Sequence, residues 1–291
     1  MKIKKAIITA AGYGTRFFPL TKSIQKEMIP LLNKPLIDHL VDQCIEAGIE
    51  EIIFVVNTAN DQIRKYYSDD EVLYNYLNRM GKQDKLDKIK NIPLKAKFTF
   101  ITQPPDGQYG TAVPVMLAKE HVENEEAFLV LTGDDLFFNP DGTNEIKRMI
   151  EYFNQTNADG LITCIEVPDN EVHKYGIAIY DEVEGVRYLK DQIEKPEQVI
   201  SNLVTISKYI YKPSIFQYFE GQQTDPKSGE LYLTTTYKAM AQKEKVVLYT
   251  PSGHYLDSGD VFTWLSANLL LAKQDKELWD RLLEYIAKIK E

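Results

Sequence analysis

The feature that most constrains the fold is an apolar run that leads into a glycine-containing loop near the start of the chain. Residues 6–10 carry no charge and predict a short buried strand. Gly12 and Gly14 follow, and they allow tight turns and close approach of main-chain N–H groups to a ligand. Arg16 and Lys26 come next in a segment that reads as loop. A strand, a glycine loop and fixed cations together favour a polyphosphate-binding site.

Two common nucleotide-binding motifs fit this loop poorly. A dinucleotide fold needs the pattern G-x-G-x-x-G, but its third glycine would fall at Phe17. A P-loop is excluded because no Gly-Lys-Ser or Gly-Lys-Thr follows the glycines. The loop therefore predicts phosphate binding by a different arrangement.

Beyond the loop, the chain alternates buried strands with amphipathic helices. A helix opens at Pro35, carries an apolar stripe and ends near Gly48, and residues 52–56 predict the next buried strand. This order predicts parallel pairing and an α/β fold: a Rossmann-like mixed, mostly parallel sheet flanked by helices. The length of 291 residues and the hydrophobic content of 44% fit one domain that spans 1–291.

Two segments interrupt or follow this alternation. The aromatic and charged segment 61–92 predicts one or two surface helices inserted between strands. The final part of the chain, 261–291, predicts C-terminal amphipathic helices. The apolar stripes of these helices fit either core packing or contacts in a homo-oligomer, a dimer or a tetramer, and the sequence leaves both open.

The composition of the chain bears on whether it binds nucleic acid or a membrane and on its cellular compartment. The chain has 34 basic and 43 acidic residues, a formal net charge of −9, which argues against a broad nucleic-acid-binding surface. No apolar run approaches the roughly 18 residues of a membrane span, and no signal-peptide core is evident. Cys44 and Cys164 lie in apolar contexts and predict buried free thiols. We therefore expect a cytoplasmic protein without membrane contact.

Several motifs resemble those of one enzyme family. Residues 12–16, Gly-Tyr-Gly-Thr-Arg, with Lys26-Glu27-Met28 and Pro30, resemble the signature of sugar-1-phosphate nucleotidylyltransferases. The Lys-Glu-Met version, the size of the insertion at 61–92 and Ser201-Asn202-Leu203 are similar to the bacterial UTP–glucose-1-phosphate uridylyltransferases. The resemblance implies a glycosyltransferase-A-like nucleotidyltransferase fold. It also implies Mg²⁺-dependent transfer from UTP to glucose 1-phosphate, which gives UDP-glucose and pyrophosphate.

A glutamine at a strand end is the candidate reader of the base. Gln103 follows the predicted strand 98–102, and its amide carries both a donor and an acceptor that complement the imide edge of uracil or thymine. By itself, a glutamine at this place also fits a structural role. The resemblance implies a nucleotide-binding set made up of Ala11, Gly12, Gly14, Thr15, Gln103 and Gly110.

The chain departs from the uridylyltransferase pattern at several positions. Gln108 stands where that family usually has Gly, Thr111 where it has His, Thr235 where it has Asp, and Val261 where it has Lys. Pro105-Asp106-Gly107 resembles the thymidylyltransferase branch instead. A dTTP-dependent glucose-1-phosphate thymidylyltransferase is therefore one alternative. A non-catalytic nucleotide-sugar-binding protein that retained the pocket is another.

Acidic residues supply a candidate metal site. Asp134 and Asp135 follow the apolar strand 128–132, and a carboxylate at the carboxyl end of a buried parallel strand can hold Mg²⁺. Turn or capping chemistry is the simpler interpretation of the same residues. The resemblance implies Asp134 and Asp257 as the metal ligands, with Asp135 as the alternative to Asp134.

The remaining candidates lie around a Glu-Lys-Pro motif. Glu194 can accept hydrogen bonds from sugar hydroxyls, and Lys195 is a compact charge suited to a phosphate, although the motif alone also fits a surface turn. The resemblance implies that Gly176, Glu194 and Asn202 bind the sugar. It implies a catalytic set made up of Arg16, Lys26 and Lys195.

Overall fold

The structure is a computed structural model that describes residues 1–58, 61–194 and 196–289, apart from the side chain of residue 174. Its described strands, in chain order, are β1 (Lys5–Ala10), β2 (Pro30–Leu31), β3 (Lys34–Pro35), β4 (Glu51–Asn57), β5 (Lys97–Gln103), β6 (Phe128–Thr132), β7 (Asp135–Phe138), β8 (Gly160–Glu166), β9 (Gly176–Val183), β10 (Val186–Glu194), β11 (Leu203–Tyr211), β12 (Val246–Tyr249) and β13 (His254–Asp257). Its described α-helices are α1 (Leu36–Glu46), α2 (Gln62–Tyr66), α3 (Glu71–Arg79), α4 (Gln83–Leu86), α5 (Val113–Leu117), α6 (Lys119–Val122), α7 (Glu145–Thr156), α8 (Leu233–Ala241), α9 (Val261–Ala272) and α10 (Lys276–Ile289).

Nine of the described strands form one central sheet in the order β5-β4-β1-β6-β11-β8-β12-β10-β9. β1 pairs in parallel with both neighbours, so that Ala6 lies beside Ile52 on one side and Leu129 on the other. The pairings give β10 and β11 one direction and the other seven strands the opposite one. This confirms the predicted mixed, mostly parallel sheet, and it places the carboxyl ends of β5, β4, β1 and β6 along one edge.

Helices cover both faces of the sheet. Neighbouring residues of β1 point to opposite faces because the side chains of a strand alternate. Ile8 packs in a buried cluster with Leu40 of α1 and Met149 of α7. Ile7 packs in another with Val115 of α5 and Tyr237 of α8. Two apolar faces on a largely parallel sheet explain why its strands read as continuous apolar runs.

The inserted segment differs in detail from its prediction. It forms three short helices, α2, α3 and α4, rather than one or two. The insertion is also anchored by its aromatic residues: buried Tyr67 stacks on Phe54 with ring centroids 5.3 Å apart and donates to Asp38 Oδ1 at 3.1 Å. Lys95 closes the segment with a 2.8 Å ion pair to Asp38. The spacing of apolar residues predicts the helices, whereas these long-range contacts fix their position.

The two C-terminal helices leave much of their apolar surface uncovered. α10 has no buried residue, and Phe262 of α9 is 78% exposed.

No helix in the described segments combines the length and the apolar character needed to cross a bilayer. Cys44 and Cys164 are fully buried and free, as predicted.

Candidate active site

The glycine loop follows β1 and is shaped around the side chain of Lys26. Gly14 has a φ of 63°, a left-handed conformation that glycine adopts without strain, and it precedes a 3₁₀ turn at Thr15–Phe17. A methyl group at Gly14 would lie only 3.0 Å from Lys26 Cβ, and one at Gly12 would lie 3.5 Å from Lys26 Nζ. The two glycines therefore leave room for the Lys26 side chain beside the loop.

A cavity of about 350 Å³ opens at the carboxyl ends of the parallel strands. It lies where open α/β sheets bind ligands, between the loops that follow β1, β4, β5 and β6. The predicted site residues on its wall are Ala11, Gly12, Lys26, Gln103, Gly110 and Asp134. Gly14 and Thr15 are not among its lining residues. The cavity is thus lined by predicted site residues from four separate parts of the chain.

Gln103 borders the cavity at the last residue of β5. It pairs in register with Asn57, the last residue of β4, which also lines the cavity. The Oε1 atom of Gln103 is buried and has no hydrogen-bond partner among the described residues. Buried polar atoms in proteins nearly always have a hydrogen-bond partner, and a ligand in the cavity would provide the missing donor for Gln103 Oε1.

Gly110 faces a segment for which the sequence predicts no site role. Its φ is 122°, and a methyl group there would lie 2.4 Å from Leu231 O. Backbone hydrogen bonds join the segments, from Leu231 N to Tyr109 O at 2.9 Å and from Ala112 N to Leu231 O at 3.0 Å. This pairing brings Glu230 to the cavity wall. The glycine at 110 is the signal in the sequence that could have indicated a positive φ and close packing here, but it does not identify Leu231 as the partner.

A cation and a carboxylate meet at the edge of the cavity. Lys26 Nζ lies 2.6 Å from Asp134 Oδ2 and 3.8 Å from Glu27 Oε1. Burial disfavours the charged form of Lys26, but the charges of Asp134 and Glu27 outweigh it, and the pKa of Lys26 is raised. Burial likewise opposes ionisation of Asp134, yet the Lys26 ammonium holds the pKa of Asp134 below its ordinary value. Both groups are therefore charged at neutral pH.

A second cation–carboxylate pair converges beside the first. A methyl group at Gly259 would lie 2.7 Å from both Arg16 Nη1 and Asp257 Oδ1. Burial raises the pKa of Asp257, and the charge of Asp134 raises it further, whereas the Gly259 N–H and Arg16 act in the opposite direction. Asp134 and Asp257 thus lie close enough to repel each other. Arg16, Lys26, Asp134 and Asp257 form one charged group, which we call the charged cluster.

The two adjacent aspartates have different surroundings. Asp134 lines the cavity, whereas Asp135, which begins β7, is only 4% exposed. The Asp135 carboxylate pairs with Lys208 and accepts hydrogen bonds from Tyr255 Oη at 2.5 Å and Thr132 Oγ1 at 2.8 Å. The carboxylate of Asp135, the alternative metal ligand, is therefore buried and already bound by Lys208, Tyr255 and Thr132.

Glu27 is a fully buried carboxyl group next to Lys26. A methyl group at Gly133 would lie 2.9 Å from Glu27 Cγ, which places this side chain beneath the turn that carries Asp134. Neither Oε1 nor Oε2 has a hydrogen-bond partner among the described residues. Burial raises the pKa of Glu27 to about 7, partly opposed by Lys26 and reinforced by Asp134.

This raised pKa predicts a pH dependence of stability in the metal-free protein. An unfolded glutamate titrates near 4.5, so the contribution of Glu27 is fully present below that pH and is lost as the pH rises through about 7. The Glu27→Gln variant should match the wild type near pH 4.5. It should exceed the wild-type free energy of unfolding by about 3 kcal/mol above pH 8. Urea unfolding of both proteins between pH 4.5 and 8.5 measures the difference, and parallel curves would contradict the prediction.

The sugar-site candidates split into two places. Gly176 begins β9 and lies in register with Glu194, the last residue of β10, and a methyl group at Gly176 would lie 2.8 Å from Glu194 Oε1. Asn202 lies elsewhere. Val204 pairs with Ile177, so the antiparallel register carries Asn202 away from Gly176, and it lines a separate groove. The structure therefore brings Gly176 and Glu194 together but not Asn202.

The start of β9 lies within electrostatic range of the strand that carries Asp257. Burial raises the pKa of Tyr255, and so do the charges of Asp257 and Asp134, with a smaller effect from Tyr175. Tyr175 immediately precedes Gly176, so the start of β9 lies within electrostatic range of Tyr255 on β13, the strand that also carries Asp257. Lys195, the predicted sugar-phosphate anchor, lies outside the described residues.

Comparison with known proteins decides the family. The family model for nucleotidyl transferases matches residues 5–274. This chain belongs to the nucleotidyl transferase family. The UTP–glucose-1-phosphate uridylyltransferase of Bacillus subtilis (strain 168) is 34% identical over 288 residues, which cover 98% of this chain and 96% of that protein.

Solved structures of the nucleotidyl transferase family agree with this assignment. A UTP-bound UGPase from Acinetobacter baumannii superposes with a TM-score of 0.87 at 30% identity, covering 98% of this chain and 99% of the other. A UDP-glucose pyrophosphorylase complexed with UDP-glucose gives a TM-score of 0.81 at 30% identity, covering 94% and 100%. The predicted nucleotidyltransferase fold is confirmed.

Two departures from the uridylyltransferase pattern are exposed in this nucleotidyl transferase, and a third, Thr111, both lines the cavity and contacts the start of α8. Thr235 is exposed in the first turn of α8, and Val261 is exposed at the start of α9. Thr111 Oγ1 accepts a hydrogen bond from the N–H of Leu233, the first residue of α8, at 2.9 Å. Thr111 therefore satisfies one of the free N–H groups at a helix start.

Proposed function

We propose that this nucleotidyl transferase moves a uridylyl group from UTP to glucose 1-phosphate, giving UDP-glucose and pyrophosphate. The observation that carries the proposal is the charged cluster, two of whose members, Lys26 and Asp134, line the cavity that Gln103 also borders. UTP–glucose-1-phosphate uridylyltransferases that match nearly the whole chain support the choice of reaction.

The cavity is the proposed site of the uridine part of UTP. Its volume falls within the range of ligand pockets. The Gln103 amide would pair with the imide edge of uracil, with Gly110 alongside it. The backbone of Ala11 and Gly12 would approach the ribose and phosphates, while Gly14 and Thr15 hold the loop in shape.

The charged cluster would carry the chemistry. The attacking oxygen of glucose 1-phosphate is already ionised near pH 7, so the main obstacle is repulsion between two polyanions. Arg16 would grip the triphosphate through its planar guanidinium, and Lys26 would neutralise charge at the α-phosphate. Catalysis then rests on positioning and charge neutralisation rather than on a strong general base.

The carboxylates of Asp134 and Asp257 fit a magnesium ion. Burial and then the charge of Asp134 raise the pKa of Asp257, and a divalent cation held by both carboxylates would offset this effect. Among the described residues, no group of three or more acidic, histidine or cysteine side chains could complete a metal site. Nucleotide phosphates and water would supply the other oxygen ligands, as Mg²⁺ commonly requires. When bound, the ion would offset phosphate charge.

The sugar phosphate would enter from the side of β9 and β10. Glu194 would accept hydrogen bonds from the glucose hydroxyls beside Gly176, and Lys195 would hold the phosphate. The position of Asn202 in a separate groove gives it no supporting contact in this arrangement.

A substrate panel with a pyrophosphate readout tests the proposal. The enzyme is incubated with Mg²⁺, glucose 1-phosphate and either UTP or dTTP, alone and in competition. We expect pyrophosphate release with UTP to be faster than with dTTP. A clear preference for dTTP would favour the thymidylyltransferase alternative, and UTP binding without pyrophosphate release would favour a non-catalytic nucleotide-sugar-binding protein.

We also propose that the exposed face of α9 joins copies of this chain into a dimer or a tetramer. Phe262, Leu265 and Leu269 share one side of α9 and are all exposed. Replacing Phe262 and Leu265 together with glutamate should shift the light-scattering mass toward that of a monomer. Val183→Glu is the control, because Val183 is a 56% exposed apolar residue at the end of β9, outside both segments for which the sequence leaves oligomer contacts open. An unchanged mass in the α9 variant would contradict this interface.

A further inference from the structure

A buried lysine lies directly behind the charged cluster. Lys208 belongs to β11, in the middle of an otherwise uncharged strand, and its side chain is fully buried. Its Nζ pairs with the Asp135 carboxylate. A buried lysine is uncommon, because an ammonium loses much of its hydration in the interior. The reaction mechanism described above gives it no role.

Lys208 brackets the turn that presents Asp134. Its Nζ donates to Thr132 O at 3.2 Å and to Asp135 O at 3.2 Å. These carbonyls flank Gly133 and Asp134, so one ammonium holds both ends of the turn. The turn lies at the end of β6, where backbone hydrogen bonding to the neighbouring strand alone does not fix the position of a side chain.

The same network reaches the second carboxylate. Asp135, held by Lys208, accepts from Tyr255 Oη at 2.5 Å, and Tyr255 lies on β13 two residues before Asp257. β13 pairs with β7 so that Asp257 lies opposite Asp135. Ser258 N also donates to Asp134 O at 3.3 Å. Lys208 is thus linked to the backbone of both aspartates of the charged cluster without touching their carboxylates.

We propose that Lys208 is a positioning residue that sets the spacing of Asp134 and Asp257 for a divalent cation. The inference rests on the proposed function, since it concerns the metal pair of that site. A purely charge-balancing role is the competing explanation, in which Lys208 only neutralises buried Asp135. The two explanations differ in what the hydrogen bonds to Thr132 O and Asp135 O contribute.

The experiment measures Mn²⁺ binding to the enzyme–UTP complex by water-proton relaxation, with no sugar phosphate present and therefore no turnover. Lys208→Met should raise the Kd for Mn²⁺ at least tenfold. Metal-free binding of UMP, measured by calorimetry, should stay within twofold of the wild-type value. This pattern separates a loss of metal geometry from a general loss of the nucleotide site.

A double variant keeps the inference testable if Lys208→Met alone leaves Asp135 unpaired and the protein poorly folded. Lys208→Met with Asp135→Asn removes both buried charges, so the melting temperature should recover toward that of the wild type. The carbonyl contacts remain lost, and we expect the Kd for Mn²⁺ to stay raised at least tenfold. Recovery of wild-type Mn²⁺ affinity in the double variant would overturn the inference.

Lys95→Met is the matched control. Lys95 also bridges two carboxylates, those of Asp38 and Asp42, but it does so where the inserted segment meets α1. Its loss should lower the melting temperature and leave Mn²⁺ affinity unchanged. An equal loss of Mn²⁺ affinity in this control would overturn the inference. Absence of Mn²⁺ binding by the wild-type enzyme would instead refute the metal pair of the proposed function, and the inference with it.

Discussion

Replacing Lys26 with methionine is expected to lower kcat/KM for UTP by about 30- to 1000-fold. The estimate corresponds to about 2–4 kcal/mol of transition-state stabilisation, by analogy with the loss of one oxyanion-binding donor. Methionine keeps an unbranched side chain beside Gly12 and Gly14, so the change removes the ammonium and its ion pairs with Asp134 and Glu27 but little of the side-chain volume. The ammonium lies 2.6 Å from Asp134 in a site that must admit two polyanions. Steady-state kinetics with a pyrophosphate assay measures the loss.

Lys22→Met provides the comparison for Lys26→Met. Lys22 precedes Lys26 in the same loop segment but is exposed, so its removal changes the net charge equally without altering the charged cluster. We expect kcat/KM of this control to stay within about threefold of the wild-type value, as for a screened surface charge. If Lys26→Met retained activity similar to the control, Lys26 would have no catalytic role.

Local patterns predicted the part of the site that lies on contiguous sequence. The apolar run before Gly12, the two glycines and the following cations lie within one short segment, and their conformation depends on residues close in sequence. The structure gives Gly14 the left-handed backbone that this interpretation requires. The parallel order of the first strands followed from the same kind of information, because a strand–helix–strand unit has few stable arrangements.

The sequence could not distinguish the roles of two adjacent aspartates. Asp134 and Asp135 have the same chemistry and differ by one position, so periodicity could not assign one to the cavity. The turn between β6 and β7 decides it: Asp134 lines the cavity, and Asp135 pairs with Lys208 inside. That choice depends on a partner from β11, which is remote in sequence, so no local signal could reveal it.

Distance along the chain does not predict which residues share a site. Asn202 follows Glu194 closely along the chain. It immediately precedes β11, however, and the pairing of β11 with β9 places it several residues away from Gly176. Conversely, Glu230 reaches the cavity through backbone pairing of Leu231 with Tyr109. Both outcomes are set by strand register and by contacts between distant segments, which hydrophobic patterns leave undetermined.

Replacing Asp257 with asparagine is expected to have the second large effect. The amide removes one of two anionic ligands, so the half-saturating Mg²⁺ concentration should rise at least tenfold, equivalent to about 1.4 kcal/mol. At Mg²⁺ concentrations well below half-saturation, the reaction rate should fall by the same factor. Titration of pyrophosphate release against Mg²⁺ concentration measures this shift. An unchanged Mg²⁺ dependence would remove Asp257 from the metal site.

The same variant should be at least as stable as the wild type when no metal is present. Burial and the charge of Asp134 raise the pKa of Asp257, so its ionisation costs more free energy in the folded protein than in the unfolded chain. A neutral amide avoids that penalty, whereas loss of a purely structural carboxylate would lower the melting temperature. Asp260→Asn is the control, because Asp260 caps α9 and asparagine caps equally well. Increased or equal metal-free stability, combined with a smaller stabilisation by Mg²⁺ and UTP, would identify Asp257 as a carboxylate held in place for a cation.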